Sequence, residues 1–215
     1  LMATLCNMGI PMGMQYSITA IGSVILQSAV NTLGSNAVAA MTAGGRIGMF
    51  FTCPYEALGS TMATYGGQNV GAKKLDRIGS GLKACSILGI AYSAVAFVLL
   101  WFTGERLAMF FVESANVSII ADVKLFLLIN SAFYITLAFV NIIRFLIQGM
   151  GFSKFAILAG VFEMAARMIA GFILVPMFGF TAACFANPIA WVFADIFLFP
   201  AYFYVCRKTK EMLKI

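Results

Sequence analysis

Residues 82–103 read LKACSILGIAYSAVAFVLLWFT, twenty-two residues in which the only charge, Lys83, stands next to the start. A bilayer's hydrocarbon core is about 30 Å thick and takes about 20 apolar residues of helix to cross. This stretch is therefore read as a membrane span. The same measure, applied outward along the chain, marks 8–33, 37–66, 117–148, 153–178 and 180–205. Several of these exceed one hydrocarbon thickness, so tilt or extension into the interface is expected. Hydrophobic residues make up 62% of the 215 and charged residues 10%, too little polar surface for a water-soluble domain of this size. The expected fold is an all-α membrane protein: six transmembrane helices forming one bundle over 1–206, followed by a basic cytoplasmic tail over 207–215. No basic segment precedes a short apolar stretch, so no cleavable signal is expected. An opening on Leu1 rather than Met suggests a fragment or a trimmed product.

The formal net charge of +6 is a topology signal. Lys73, Lys74, Arg77 and Lys83, then Arg144 and Lys154, then Arg207, Lys208, Lys210 and Lys214 fall at ends that six alternating spans put on one side. The opposite loops, 31–36, 104–116 and 177–180, carry only Arg106. Positive charge marks the cytoplasmic side, so both termini are expected to be cytoplasmic in a cell membrane, inner or plasma. Nucleic acid is not an expected partner. Cys6, Cys53, Cys85, Cys184 and Cys206 are scattered through apolar runs, and the chain has no His. Neither a disulfide framework nor a metal site is expected. There is no Ser-His-Asp set, no HExxH and no phosphate-binding Gly-Lys-Ser/Thr loop. The chain is read as a non-enzyme whose cargo moves passively or by coupling to an ion gradient.

Polar residues recur at helical spacing in the first span: Gln15, Thr19, Ser23, Gln27 and Asn31. Steps of four turn 400°, so the stripe drifts only about 40° per step. Lipid offers such groups no partner, so the face turns inward, toward other helices or toward a wet cavity. Pro54 and Pro188 are expected to kink the second and last spans. Gly71 is the expected stop of the second helix, 148–152 (QGMGF) an inner turn, and 176–180 an outer one.

Five ionisable residues lie where bilayer insertion selects against them: Arg46, Glu56, Glu163, Arg167 and Asp195. Facing lipid, they would together cost on the order of 12–17 kcal/mol, more than typical folding stability. They must face inward, pair or change protonation. Glu163 and Arg167 are four apart with the acid first, the favourable order for a structural ion pair. Asp195 and Glu56 have no partner in their own helices. Each is an ion-coupling candidate, because burial disfavours an unpaired carboxylate's charge; the alternative is a partner on another helix, Arg46 or Arg144. The five sum to −1, a lean toward cationic cargo. No internal repeat is visible, and a six-helix unit without one fits half of a two-halved transporter.

Several motifs carry a family resemblance: GIPMGMQYSIT over 9–19, NTLGSNAVAAMTA over 31–43, PYEALG over 54–59 and TYGGQNVGAKKLDR over 64–77, with GQNVGAK over 67–73 the most specific. Further on come QGMG at 148–151, Glu163 to Arg167, and Trp191. In this order they resemble the second half, helices seven to twelve, of the multidrug and toxic-compound extrusion (MATE) transporters, across essentially the whole chain. The resemblance implies antiport of bulky organic cations against H⁺ or Na⁺, with no other cofactor, by two six-helix lobes that rock between inward-open and outward-open states. It implies that Gln15, Thr19, Ser23, Asn141 and Glu163 line the central cleft. Lys73, Lys74 and Arg77 would be inner-loop anchors. Expected partners are an organic cation, the lipid bilayer, and a missing N-terminal six-helix lobe or a second copy. Some sodium-coupled relatives carry an acid in the first of these helices, where this chain has Gln15 and Thr19. The alternatives are a lipid-linked oligosaccharide flippase and a non-transporting half that needs a partner.

Overall fold

The computed structural model describes residues 2–113 and 116–213, and of 2–8 only the backbone. Lys214 and the side chain of Cys6 lie outside the described residues. The protein is all-α. Its helices are α1 (Met2–Asn31), α2 (Ser35–Gly71), α3 (Asp76–Ala108), α4 (Val117–Ala132), α5 (Tyr134–Gly149), α6 (Ser153–Ile169), α7 (Val175–Phe178) and α8 (Phe180–Leu213). A π-helical turn, Ala170–Leu174, joins α6 to α7. On length and composition alone, 9–31, 76–108, 153–178 and 180–213 can each cross a membrane. The α4–α5 pair makes a fifth if its arms are one span bent by 52°. The sixth rod, α2, is 37 residues long, about 55 Å at 1.5 Å per residue. Charges and a polar C-terminal third keep it out of the purely apolar set. Several helices outrun the apolar stretches that betray them, since hydropathy marks the hydrocarbon slab and backbone hydrogen bonding continues beyond it.

The bend in the fourth stretch has no Pro or Gly behind it. It falls at Phe133, just after Asn130 and Ser131. The Ser131 hydroxyl donates to the Leu128 carbonyl (3.1 Å) and the Thr136 hydroxyl to the Phe133 carbonyl (2.6 Å). Side chains that bond their own backbone offer it an alternative to the regular ladder.

The two expected Pro kinks lie inside helices that run on through them, and in each a polar side chain from a neighbour sits at the opened turn. Pro188 has no N–H for the carbonyl of Cys184, and the Asn130 amide donates to that oxygen at 3.3 Å. Near Pro54, the Tyr92 hydroxyl donates to the Phe51 carbonyl at 3.1 Å. At Pro188 this is how a membrane helix tolerates proline: a neighbour's amide satisfies the freed carbonyl.

Helix α5 is the axis of the bundle. Residues 142–148 are buried all round, between α2, α3, α6 and α8. It meets α2 backbone to backbone, for a methyl added at Gly149 would run into the Ala63 carbonyl. The turn that follows is a Schellman cap: Gly151 takes φ +94°, its N–H reaches the Gln148 carbonyl, and that of Phe152 the Ile147 carbonyl. The end of α2 falls at the expected stop. Gly71 is the last helical residue, but the left-handed position is Lys73, at φ 56°, with the same pair of bonds from Lys73 and Lys74 to Val70 and Asn69. Outward, the bundle presents Phe50, Phe102, Phe172 and Phe203, each about two-thirds exposed or more. Lipid rather than water suits such a surface.

Candidate functional site

Two sets of polar groups stand at membrane depth, one enclosed by the bundle and one on its surface. In the enclosed set, Glu163 of α6 is held between two guanidiniums. The Arg144 Nη2 donates to its Oε1, and Arg167 Nη1 reaches Oε2 at 3.4 Å. The pair expected from the i, i+4 spacing is thus part of an Arg–Glu–Arg triad. Arg144, counted from sequence among the bases at the inner ends of the spans, is instead 6% exposed inside α5.

From the triad the chain of contacts continues. Arg167 Nε donates to Asn187 Oδ1 (3.4 Å), the Asn187 amide to Asn130 Oδ1 (3.2 Å), and the Asn130 amide to the carbonyls of Phe126 and Cys184. Toward the other end of α5, Gln148 donates to Gln15 Oε1. Asp195 of α8 is 7% exposed. The four buried charges Arg144, Arg167, Glu163 and Asp195 sum to zero. Within this set, Asp195 Oδ1, Arg144 Nε, Gln148 Oε1 and Thr19 Oγ1 are buried without a hydrogen-bond partner among the described residues. In a low dielectric such atoms are costly, and here they are carried by α1, α5 and α8.

The first span's stripe divides between the two settings. Gln15 is enclosed and bonded to Gln148. Thr19 is half-buried against Gly160 of α6, and the exposed Ser23 returns its hydroxyl to the Thr19 carbonyl. Asn141 is half-buried and donates to the Leu137 carbonyl of its own helix. Glu163 sits inside the lobe rather than on an open face.

The surface set lies on α2 and was not assembled from the sequence. Thr42, Arg46, Cys53, Glu56, Ser60 and Thr64 are all exposed. At 100° per residue they fall within an arc of about 80°. Among the described residues no ion pair reaches Arg46 or Glu56. A helical wheel of α2 finds this stripe at once; inspecting its two charges singly does not. Lys74 and Arg77 are exposed just beyond α2, and Tyr65 ties back the turn by donating to the Arg77 carbonyl at 3.0 Å.

Comparison with known proteins agrees with this architecture. The MatE family model matches residues 11–173. Two proteins of Bacillus subtilis (strain 168) are similar: the probable multidrug resistance protein YoeA, 24% identical over 120 residues, and the probable multidrug resistance protein YpnP, 26% identical over 114 residues. These stretches are 55% and 53% of this chain and 26% of each relative. Among solved structures, an outward-facing multidrug resistance MATE family transporter of the MOP superfamily superposes with TM-score 0.82 at 18% identity, over 91% of this chain and 43% of that one. A MOP superfamily transporter from Pyrococcus furiosus gives 0.83 at 17% identity, over 91% and 43%. A MATE structure in complex with MaL6 gives 0.84 at 17% identity, over 99% and 48%. The chain therefore spans less than half the length of these solved proteins. With the family model running from the first span through the fifth, and one lobe-sized bundle superposing on half of each transporter, this multi-pass membrane chain belongs to the MATE family.

Proposed function

We propose that the chain is the C-terminal lobe of a secondary antiporter that exports bulky organic cations in exchange for H⁺ or Na⁺. The observation that carries this reading is the α2 stripe. Two charges and four smaller polar groups lie exposed on one face of a membrane helix, where lipid leaves them unsatisfied. A second six-helix lobe, or a second copy, facing this stripe across a water-filled cleft supplies what lipid does not. In this reading the Gln15–Thr19–Ser23 side of α1 and Asn141 border the cleft. Asp195, with a buried carboxylate oxygen that has no hydrogen-bond partner among the described residues, and Glu56 are the carboxylates offered to the coupling ion. Loading Asp195 with a proton or Na⁺ would leave the net positive charge of the Arg144–Glu163–Arg167 triad uncompensated within the buried set. Such a charge imbalance between α5, α6 and α8 biases one packing of the lobe against another. Lys73, Lys74 and Arg77 hold the inner loop at the cytoplasmic face of the cell membrane, with both termini on that side. The multidrug names of the Bacillus relatives support the cargo class.

The test is efflux of a fluorescent organic cation from proteoliposomes under an imposed pH or Na⁺ gradient, using the chain alone and co-reconstituted with a six-helix partner lobe. Transport that needs the partner, and follows one gradient only, supports the proposal and names the ion. Transport by the chain alone points to the second copy. No transport under either gradient with the partner present rejects it.

A further inference from the structure

On the outer side of α6 and α8 runs an apolar groove of about 520 Å³. Its walls include Phe155 and Phe162 from α6, and Ile196, Phe197, Pro200 and Tyr204 from α8. The aromatic rings pack along it, Phe162 on Phe197 at 5.1 Å and Phe155 on Tyr204 at 5.7 Å. Its extent along α8, from Phe193 to Tyr204, corresponds to about 16 Å. That is the depth of one leaflet of a bilayer core about 30 Å thick.

One end of the groove is basic. Lys208 projects over the rings of Tyr204 (5.8 Å) and Phe152 (5.9 Å), closing off the Tyr204 end. Lys154 stands exposed in the first turn of α6. Arg207 is engaged by Glu211 at 3.2 Å. Lys154 and Lys208 make no ion pair among the described residues. A leaflet-deep apolar slot under two unneutralised ammonium groups has the shape and charge of one class of molecule. We infer that this groove binds an anionic phospholipid, with an acyl chain along Phe155, Phe162 and Phe197 and the phosphate at Lys208 and Lys154. Basic sites between membrane helices at the charged leaflet recognise anionic headgroups, and the slot adds an apolar term no free phosphate supplies.

Native mass spectrometry of the protein in detergent, titrated with phosphatidylglycerol or phosphatidylcholine of identical acyl chains, reads this directly. Phosphatidylglycerol is expected to be retained about tenfold more strongly. Reversing both charges (Lys154→Glu with Lys208→Glu) should bring it to the phosphatidylcholine level. Those side chains are exposed, so the melting temperature should not move. Filling the slot at the exposed Ile196 (Ile196→Trp) should weaken both lipids, and inorganic phosphate should not compete. Equal retention of the two lipids, indifference to the charge reversal, or competition by phosphate alone overturns the inference. So does a wild type that takes no lipid but loses self-association or partner-lobe binding when Ile196→Trp is introduced, because the groove then belongs to protein.

Discussion

The two polar regions of this lobe solve the same problem in opposite ways. Among α5, α6 and α8, four charges are buried together, sum to zero, and tie into an amide chain that runs to the Pro188 turn. Along α2, Arg46 and Glu56 share an exposed stripe with hydroxyl groups and have no ion partner among the described residues. A charge is tolerated at membrane depth only when protein or water replaces its hydration. The first region does this with the lobe's own residues, while in the second no described residue pairs with either charge. Folding of the lobe should therefore depend on the triad, and transport on the stripe.

The largest effect should come from Glu163→Gln, which leaves the Arg144 and Arg167 guanidiniums buried without their shared acid. Breaking a buried ion pair by removing one partner costs about 3–5 kcal/mol. Thermal melting in detergent should show it, together with a loss of monodisperse protein. Pairing it with Arg167→Gln, which leaves one buried base, Arg144, and one buried acid, Asp195, should recover part of the loss. A Glu163→Gln protein that melts like wild type would remove the distinction between the two regions.

The helices that carry the two regions, α5 and α2, touch at Gly149 and Ala63. Gly149→Ala must push them apart, an overpacking defect of about 1–3 kcal/mol. A melting temperature unchanged within error would show that the contact is slack. The smallest stability effects belong to the surface: Arg46→Gln and Glu56→Gln should shift lobe stability by no more than about 0.5 kcal/mol, yet lower gradient-driven efflux in the assembled transporter. Asp195→Asn is the intermediate case. It should abolish coupling to the ion gradient while the protein stays folded, since it removes a carboxylate already short of a partner. Full coupling in both Asp195→Asn and Glu56→Gln would place the coupling carboxylate elsewhere.

Much of the fold is legible in the chain because hydrocarbon thickness imposes a length on every apolar run. The Glu163–Arg167 spacing is legible for a similar reason, as one helix alone brings the two side chains together. The bend at Phe133 is not, since the usual breakers are absent and the hydroxyl groups that open the ladder look like ordinary polar residues. Arg144 misleads because an arginine a few residues from a turn reads as an interface anchor. Whether it turns inward depends on the rotation of α5, which packing decides. The polar face of α2 was available to a helical wheel and is missed when its charges are weighed one at a time.

By itself the sequence determined that this chain crosses a membrane as a helical bundle, and its ordered motifs carried the family resemblance. Backbone hydrogen bonding and bilayer thickness leave an apolar chain few other choices. Only the tertiary structure decided which charges face each other. It put Arg144 against Glu163, the Asn130 amide at the turn Pro188 opens, and Arg46 and Glu56 on an uncovered face. Those outcomes depend on helix rotation and on the backbone contact at Gly149 and Ala63, which are set by the packing of all the helices together.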